Sequence, residues 1–446
     1  DYALRNRVVA SAIQAAEDGD RARLVQVFEP LHPADIADLL EQVNAEDRTQ
    51  ILRLAGDYID GEILSEIDED IRDSVVETLS PAVLAEAVRE LESDDVVDIL
   101  EDLDQLQQEA VLDALDVVDR IAVEQALAYP EFSAGRLMQR EVVISPEHWS
   151  VGDAIDHMRA HTDLPEQFYH IVLVDPRHRP TAYVTLGRLM SSRREVALKD
   201  ITEESFRTFD VTEDEGDVAY AINQYHLITA PVVDEDGRLV GVILIDDAMA
   251  VLDEEHEEDV LRLGGVGDES LSNSTFEIVK RRFPWLGINL ATAILASIVI
   301  SIFEDVLQAV VALAVLMPIV ASMGGNAGTQ SMTVAVRALA TRDLTGSNAL
   351  RVVRREAAAG FLNGVIFAVV MGIVGVIWFG SPAIGFVIAV AMVVNLLVAG
   401  LSGVLVPLAL DKFGVDPALA AGTFVTTVTD VVGFFAFLGL ASVVLL

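Results

Sequence analysis

The 446-residue chain has no cysteine, which excludes disulfides and thiolate metal sites. Its eight histidines all precede residue 257, so nothing beyond that point offers imidazole to zinc or copper. Basic residues are scarce: 30 Lys and Arg stand against 71 Asp and Glu, a net charge of −41. Such a potential repels nucleic acid and anionic lipid and attracts cations, so no nucleic-acid partner is expected. The opening stretch "DYALRNRVVASAIQAAEDGD" lacks the apolar core of a signal peptide, and the expectation is that this part stays in the cytoplasm.

Mean hydropathy is nevertheless +0.41, too high for a soluble chain of this charge. The conflict resolves when the chain is cut near residue 283. Residues 284–446 hold six basic and seven acidic groups, so the first 283 residues carry 24 of the basic and 64 of the acidic ones, a net −40. An acidic soluble part is joined to a nearly neutral, apolar part.

A bilayer-spanning helix needs about 20 mostly apolar residues. Five segments qualify: 284–303, 306–338, 357–379, 383–410 and 418–446. Lys280, Arg281 and Arg282 precede the first, and five arginines lie between Arg337 and Arg355. Positive residues mark cytoplasmic loops, so five crossings put the N-terminus inside and the C-terminus outside. Five spans with polar interruptions point to transport rather than anchoring.

Two interruptions stand out. "PIVASMGGNAGTQSM" (318–332) places Gly324, Gly325, Asn326, Thr329, Gln330 and Ser331 at membrane depth. Backbone of this kind is tolerated there when closely packed or lining water. The second interruption is Asp430 in "TFVTTVTDVVGFFAFLGLASVVLL". A carboxylate at that depth costs roughly 2.5–3.5 kcal/mol on insertion scales and is usually functional. No Lys or Arg follows Lys412 to pair with it. A protonated, neutral Asp430 is one reading; an ionised one lining a cation pathway is the other. Thr423, Thr426, Thr427 and Thr429 add hydroxyl oxygens, a surrounding that suits hard cations such as Mg²⁺ or Ca²⁺.

The soluble part contains two internal repeats. Near-copies of about 24 residues begin at Leu31, Ala55 and Leu79 and read as helical hairpins with His-Pro or Ser-Pro at a helix start. Acidic clusters include Glu62 in "DGEILSEIDED" and Asp94, Asp95 and Asp98 in "SDDVVD". A second repeat aligns "VLVDPRHRPTAYVTLGRLM" (172–190) with "PVVDEDGRLVGVILIDDAM" (231–249) at a period of 59. Each copy reads as strand, turn, strand, helix, and the pair resembles tandem CBS modules. Such modules often bind adenosine nucleotides. Here Gly187-Arg188 and Asp246-Asp247 occupy the usual ribose-phosphate position and only the second copy retains the acid, so ATP is a weak candidate ligand. A helix over 246–264 then carries Asp253, Glu254, Glu255, Glu257, Glu258 and Asp259 toward the membrane; it reads as a cation sensor or as a solvated acidic linker.

This order of parts, with "PIVASMGGNAGTQSMTVAVRALATRDL" and "FGVDPALAAGTFVTTVTDVVGF", resembles the MgtE family of magnesium channels over nearly the whole chain. The resemblance implies no catalysis and a multidomain membrane protein. Its parts are a superhelical acidic N domain (1–130), an α/β CBS pair (131–198 and 199–245), an acidic connecting plug helix (246–280) and a five-helix pore domain (281–446). It implies a homodimer in the bacterial inner membrane that conducts Mg²⁺; whether Co²⁺ or other divalents also pass is left open by the sequence. Asp430 would hold the hydrated ion, with Asn326 and the carbonyls of Gly324 and Gly325. Closure by cytosolic Mg²⁺ would use Glu62, Asp94, Asp98, Asp247, Glu258, Asp259 and Asp416. His226, Gly216 and Ala250 stand where relatives carry acids, so the Mg²⁺ sensitivity is left open. Two rival functions remain: an ion-coupled secondary transporter, and a CBS-based membrane sensor without flux.

Overall fold

The computed structural model describes residues 4–446 except 90, 102, 104, 114, 116, 162–163, 166–167 and 267–274. The last stretch belongs to the predicted connecting segment, which to that extent lies outside the described residues. The chain divides into two compact units, Asp1–Glu255 and His256–Leu446.

The first unit opens with α1 (Asn6–Glu17) and α2 (Arg21–Phe28). The 24-residue repeat then appears as three hairpins: α3 (Pro33–Gln42) with α4 (Ala45–Ala55), α5 (Gly61–Ser65) with α6 (Glu69–Thr78), and α7 (Pro81–Arg89) with α8 (Ser93–Glu101). Proline opens α3 and α7 because its missing N–H falls where a helix has no acceptor for it. Helices α9 (Gln105–Leu112) and α10 (Val117–Ala126) complete the stack. Leu24, Phe28, Leu39, Leu40, Ile63 and Leu64 are among the residues of its continuous core.

After α11 (Ala134–Leu137) comes the pair of α/β repeats. The first has β1 (Ile144–Pro146), α12 (Val151–Ala160), β2 (His170–Val174), β3 (Pro180–Thr185) and α13 (Leu186–Ser191). The second has β4 (Phe209–Asp210), α14 (Glu215–Tyr225), β5 (Thr229–Val233), β6 (Leu239–Leu244) and α15 (Ile245–Leu263). In each, the first strand pairs parallel with the second and the second antiparallel with the third. The period of 59 holds in fine detail. A register shift falls at Leu173/Val174 and again at Val232/Val233. Asp175 and Asp234 each accept two backbone N–H bonds in the turn. The left-handed turn position is His178 in one copy and Gly237 in the other. At the first residues of β2 and β5, buried His170 Nδ1 lies 2.9 Å from Thr229 Oγ1.

The second unit contains the five helices long and apolar enough to cross a membrane: α16 (Thr275–Ser301), α18 (Ala312–Ala340), α19 (Ala349–Phe379), α20 (Pro382–Lys412) and α21 (Pro417–Val444). The second span starts later than the hydropathy suggests. A short helix, α17 (Glu304–Ala309), intervenes with both of its acids in its first turn, and the backbone breaks at Val310 before α18 begins. Helix α20 is the central element, packed against α18, α19 and α21. It contacts α19 backbone to backbone: a Cβ on Gly360 would sit 2.5 Å from Leu396 O, and one on Gly400 2.6 Å from Glu356 O. Helix α16 is almost wholly exposed along its apolar length.

Candidate functional site

Asp430 lies in the middle of α21 and is partly exposed. Among the described residues its carboxylate has no ion pair and no hydrogen bond. The threonines before it turn inward on their own helix. Thr426 Oγ1 donates to Gly422 O at 3.0 Å, Thr427 to Thr423 O at 2.6 Å, and Thr429 to Thr426 O at 2.9 Å. Their oxygens keep lone pairs, but Thr429 is fully buried against α18, where Gly328 meets Val425 and Thr429.

Asn326 is on an exposed face of α18 and donates to Ser322 O at 2.9 Å. Helix α18 runs unbroken through residues 318–332, so the carbonyls of Gly324 and Gly325 are already acceptors in its own ladder and retain only their second lone pairs. The two glycines differ. A Cβ on Gly325 would meet open space, whereas one on Gly324 would come within 2.4 Å of Asn395 Nδ2. Of the expected pore residues, Asp430, Asn326 and Gly325 face outward from α18 and α21, and Gly324 faces a helix contact.

At the start of α21, Asp416 Oδ1 accepts the Ala418 N–H at 2.7 Å as a helix cap. Its other oxygen lies 3.2 Å from Arg262 Nη1. Arg262 also pairs with Glu258, one turn back on α15. Asp259 stands in the same group, and its carboxyl is pushed above the usual carboxylate range by burial and by the charge of Asp416. Glu258, Asp259 and Asp416 are thus brought together as the sequence suggested, around an arginine that the sequence reading did not include. The Glu258–Arg262 spacing of four residues was the available signal.

In the first unit, Asp94 and Asp95 open α8, and Asp246 and Asp247 open α15. Burial, then the charge of Asp247, pushes the Asp94 carboxyl well above its ordinary value. Asp94 Oδ1 is buried without a hydrogen-bond partner. Burial and Asp246 push Asp247 up to about 7, and burial and Asp98 push Asp95 up to about 6. These carboxylates are crowded, and for Asp95 the Arg72 guanidinium offsets only part of that effect. Asp98 is placed differently: it pairs at 2.8 Å with Arg72, which is only 5% exposed. Glu62 is exposed in the first turn of α5, and it is Glu66 that acts on Asp95.

A further acidic group, absent from the sequence reading, surrounds Glu215. Its carboxyl is pushed up to about 7 by burial and by Glu254. A Cβ on neighbouring Gly216 would lie 3.1 Å from Glu255 Oε1. His226 ends α14 in a left-handed conformation, and Ala250 is exposed on α15. Among the described residues no three Asp, Glu or His side chains converge closely enough to cage a bare metal ion.

Family models match three parts of the chain: the MgtE intracellular N domain over residues 31–132, a CBS domain over 198–254, and the MgtE divalent cation transporter model over 317–440. The chain is 33% identical to the magnesium transporter MgtE of Thermus thermophilus, over 99% of both chains. The chain belongs to the MgtE family. It is also 28% identical to the Bacillus subtilis magnesium transporter MgtE, over 98% of this chain and 97% of that one. Among solved structures it resembles the cytosolic domain of the Mg²⁺ channel MgtE in complex with ATP, at 30% identity and a TM-score of 0.50, over 55% of this chain and 99% of that one. With the MgtE relatives, the five apolar helices establish a multi-pass membrane protein. In the CBS pair, Arg188 is held by Glu203 at 3.0 Å and Asp247 acts on Asp94.

Proposed function

We propose that the chain is a Mg²⁺ channel of the bacterial inner membrane that passes the hydrated ion and closes when cytosolic Mg²⁺ rises. The observation that carries this reading is Asp430, a carboxylate inside a membrane helix with no ion pair or hydrogen bond among the described residues. In a homodimer two such carboxylates would supply −2 to a +2 ion through its water shell. Outer-shell contact lets Mg²⁺ bind without losing the water it releases reluctantly, and so lets it leave. Co²⁺ is of the same charge and would pass in competition.

Closure follows from differential affinity. With little Mg²⁺, the carboxylates around Asp94–Asp247 and around Asp416 repel and favour separation. Ions that bind the assembled arrangement more tightly shift the population toward it. The predicted segments, N domain, CBS pair, plug and pore, are the bodies that this shift would move, with the termini on opposite sides of the membrane. ATP is a second ligand to consider for the CBS pair, on the strength of the relative solved with it; in this chain the engaged Arg188 weighs against it.

Purified protein in liposomes tests the reading. Mg²⁺ flux that follows the Mg²⁺ gradient alone supports a channel. Flux that requires a Na⁺ or H⁺ gradient assigns a coupled transporter. No flux under any gradient leaves a sensor.

A further inference from the structure

A further polar side chain lies at membrane depth, and it belongs to neither acidic cluster. Asn395, in the middle of α20, is 0% exposed. Its neighbours along the helix, Ala391, Met392, Leu396 and Ala399, are buried apolar residues. Its Nδ2 reaches across to α18 and donates to Val320 O at 2.7 Å. Its Oδ1 is buried without a hydrogen-bond partner.

The helices on either side are shaped around this amide. A Cβ on Gly324 of α18 would fall 2.4 Å from Nδ2, and one on Gly433 of α21 would fall 2.8 Å from Oδ1. Both are closer than real side-chain carbons approach, so a side chain at either place would require the Asn395 amide to move. Gly324 is two residues from Asn326, and Gly433 is three residues, about one turn, from Asp430. One side chain therefore fixes how closely two helices approach α20, and these are the helices that carry the proposed ion-contacting residues.

An apolar residue of the same size would fill this place without an unsatisfied oxygen, so packing alone does not account for an amide here. Polar side chains between membrane helices act as specific joints, and a single buried Asn can set helix register. We propose that Asn395 is a positioning residue: it sets the spacing of α18 and α21, and with it the distance at which Asn326 and Asp430 meet the passing ion. The proposal rests on the channel reading given above.

The test uses the full-length protein, whose lack of cysteine lets spin labels be attached at Val315→Cys on α18 and Phe435→Cys on α21, both exposed positions. In the Asn395→Leu variant the distance between the labels should shift, and Mg²⁺ selectivity over Ca²⁺ in liposome flux should fall by about threefold to tenfold, the scale of one interhelical hydrogen bond. If Asn395→Leu does not assemble, Gly433→Ala presses on the same contact from α21 and should move both readouts in the same way. Parental distance and parental selectivity in the variant that assembles overturn the proposal. Asp430→Asn, run in parallel, separates this failure from failure of the channel reading. If Asp430→Asn leaves flux unchanged, the label distance alone decides, with a shift supporting the positioning role and no shift overturning it.

Discussion

Arg262 Nη1 lies 3.2 Å from Asp416 Oδ2, and the same guanidinium pairs with Glu258. A fixed cation thus stands where three carboxylates of the proposed regulatory set meet. The charge that a divalent ion would supply there is partly present already.

Removing that cation should sharpen the Mg²⁺ response. In Arg262→Gln the carboxylates of Glu258, Asp259 and Asp416 lose their resident counter-charge and should bind a divalent ion more tightly. Patch recordings at graded cytosolic Mg²⁺ should show closure at about fivefold lower concentration, a coupling of ~1 kcal/mol. Closure over the parental range would remove Arg262 from the gating account.

Asp430→Asn keeps the side-chain shape and deletes the charge, while Asp430→Ala deletes both. Both variants should assemble, and Mg²⁺ flux should fall by about tenfold or more, as expected when a charge site lining an ion path is removed. Size-exclusion profiles check assembly and liposome uptake checks flux. Parental flux in Asp430→Asn, with parental block by competing divalents, would return the residue to a structural role.

The first unit should lose stability as pH rises. Asp95 titrates near 6, and Asp247 and Glu215 near 7, against an unfolded value of about 4. Folding therefore takes up protons between about pH 4 and 7, and stability, full below pH 4, declines as pH rises through 7. Mg²⁺ binding at the same carboxylates should flatten the decline. Amide hydrogen exchange over α8 and the start of α15 reads both effects; protection that grows with pH in metal-free buffer would contradict the sign.

Asp98 has a use that needs no metal. Asp98→Ala removes the ion pair that the buried Arg72 guanidinium makes beside its Nε bond to Ile67 O, and should cost about 1–2 kcal/mol of stability in the first unit. Denaturant midpoints in Mg²⁺-free buffer measure it. A loss seen only with Mg²⁺ present would instead make Asp98 a ligand.

Much of this architecture is legible in the residues because the signals are periodic. Apolar runs mark the five spans, prolines mark the hairpin starts, and the 59-residue repeat predicts even the paired turns at Asp175 and Asp234. What escaped the sequence is relational. Gly324 reads as a candidate pore oxygen, and nothing in the sequence shows that its Cα faces Asn395. Asp98 reads as part of an acidic face until Arg72 is seen beneath it. Glu215 looks like an ordinary helix-start acid, and its perturbed carboxyl arises from residues about forty positions later, supplied by Glu254 and its neighbours. The break at Val310 is invisible to hydropathy because the residues on both sides are apolar.

The contact between α19 and α20 has a mechanical consequence. Helices slide past one another by letting interlocked side chains exchange rotamers. At Gly360, Gly400 and Gly385 there is no side chain to exchange; a Cβ on Gly385 would lie 2.7 Å from Gly372 O. These two helices are therefore joined along their backbones and behave as a stator. Any displacement that opens or narrows a path falls to α16 and α21, because α18 also meets α20 along its backbone: a Cβ on Gly403 would lie 2.7 Å from Gly328 O.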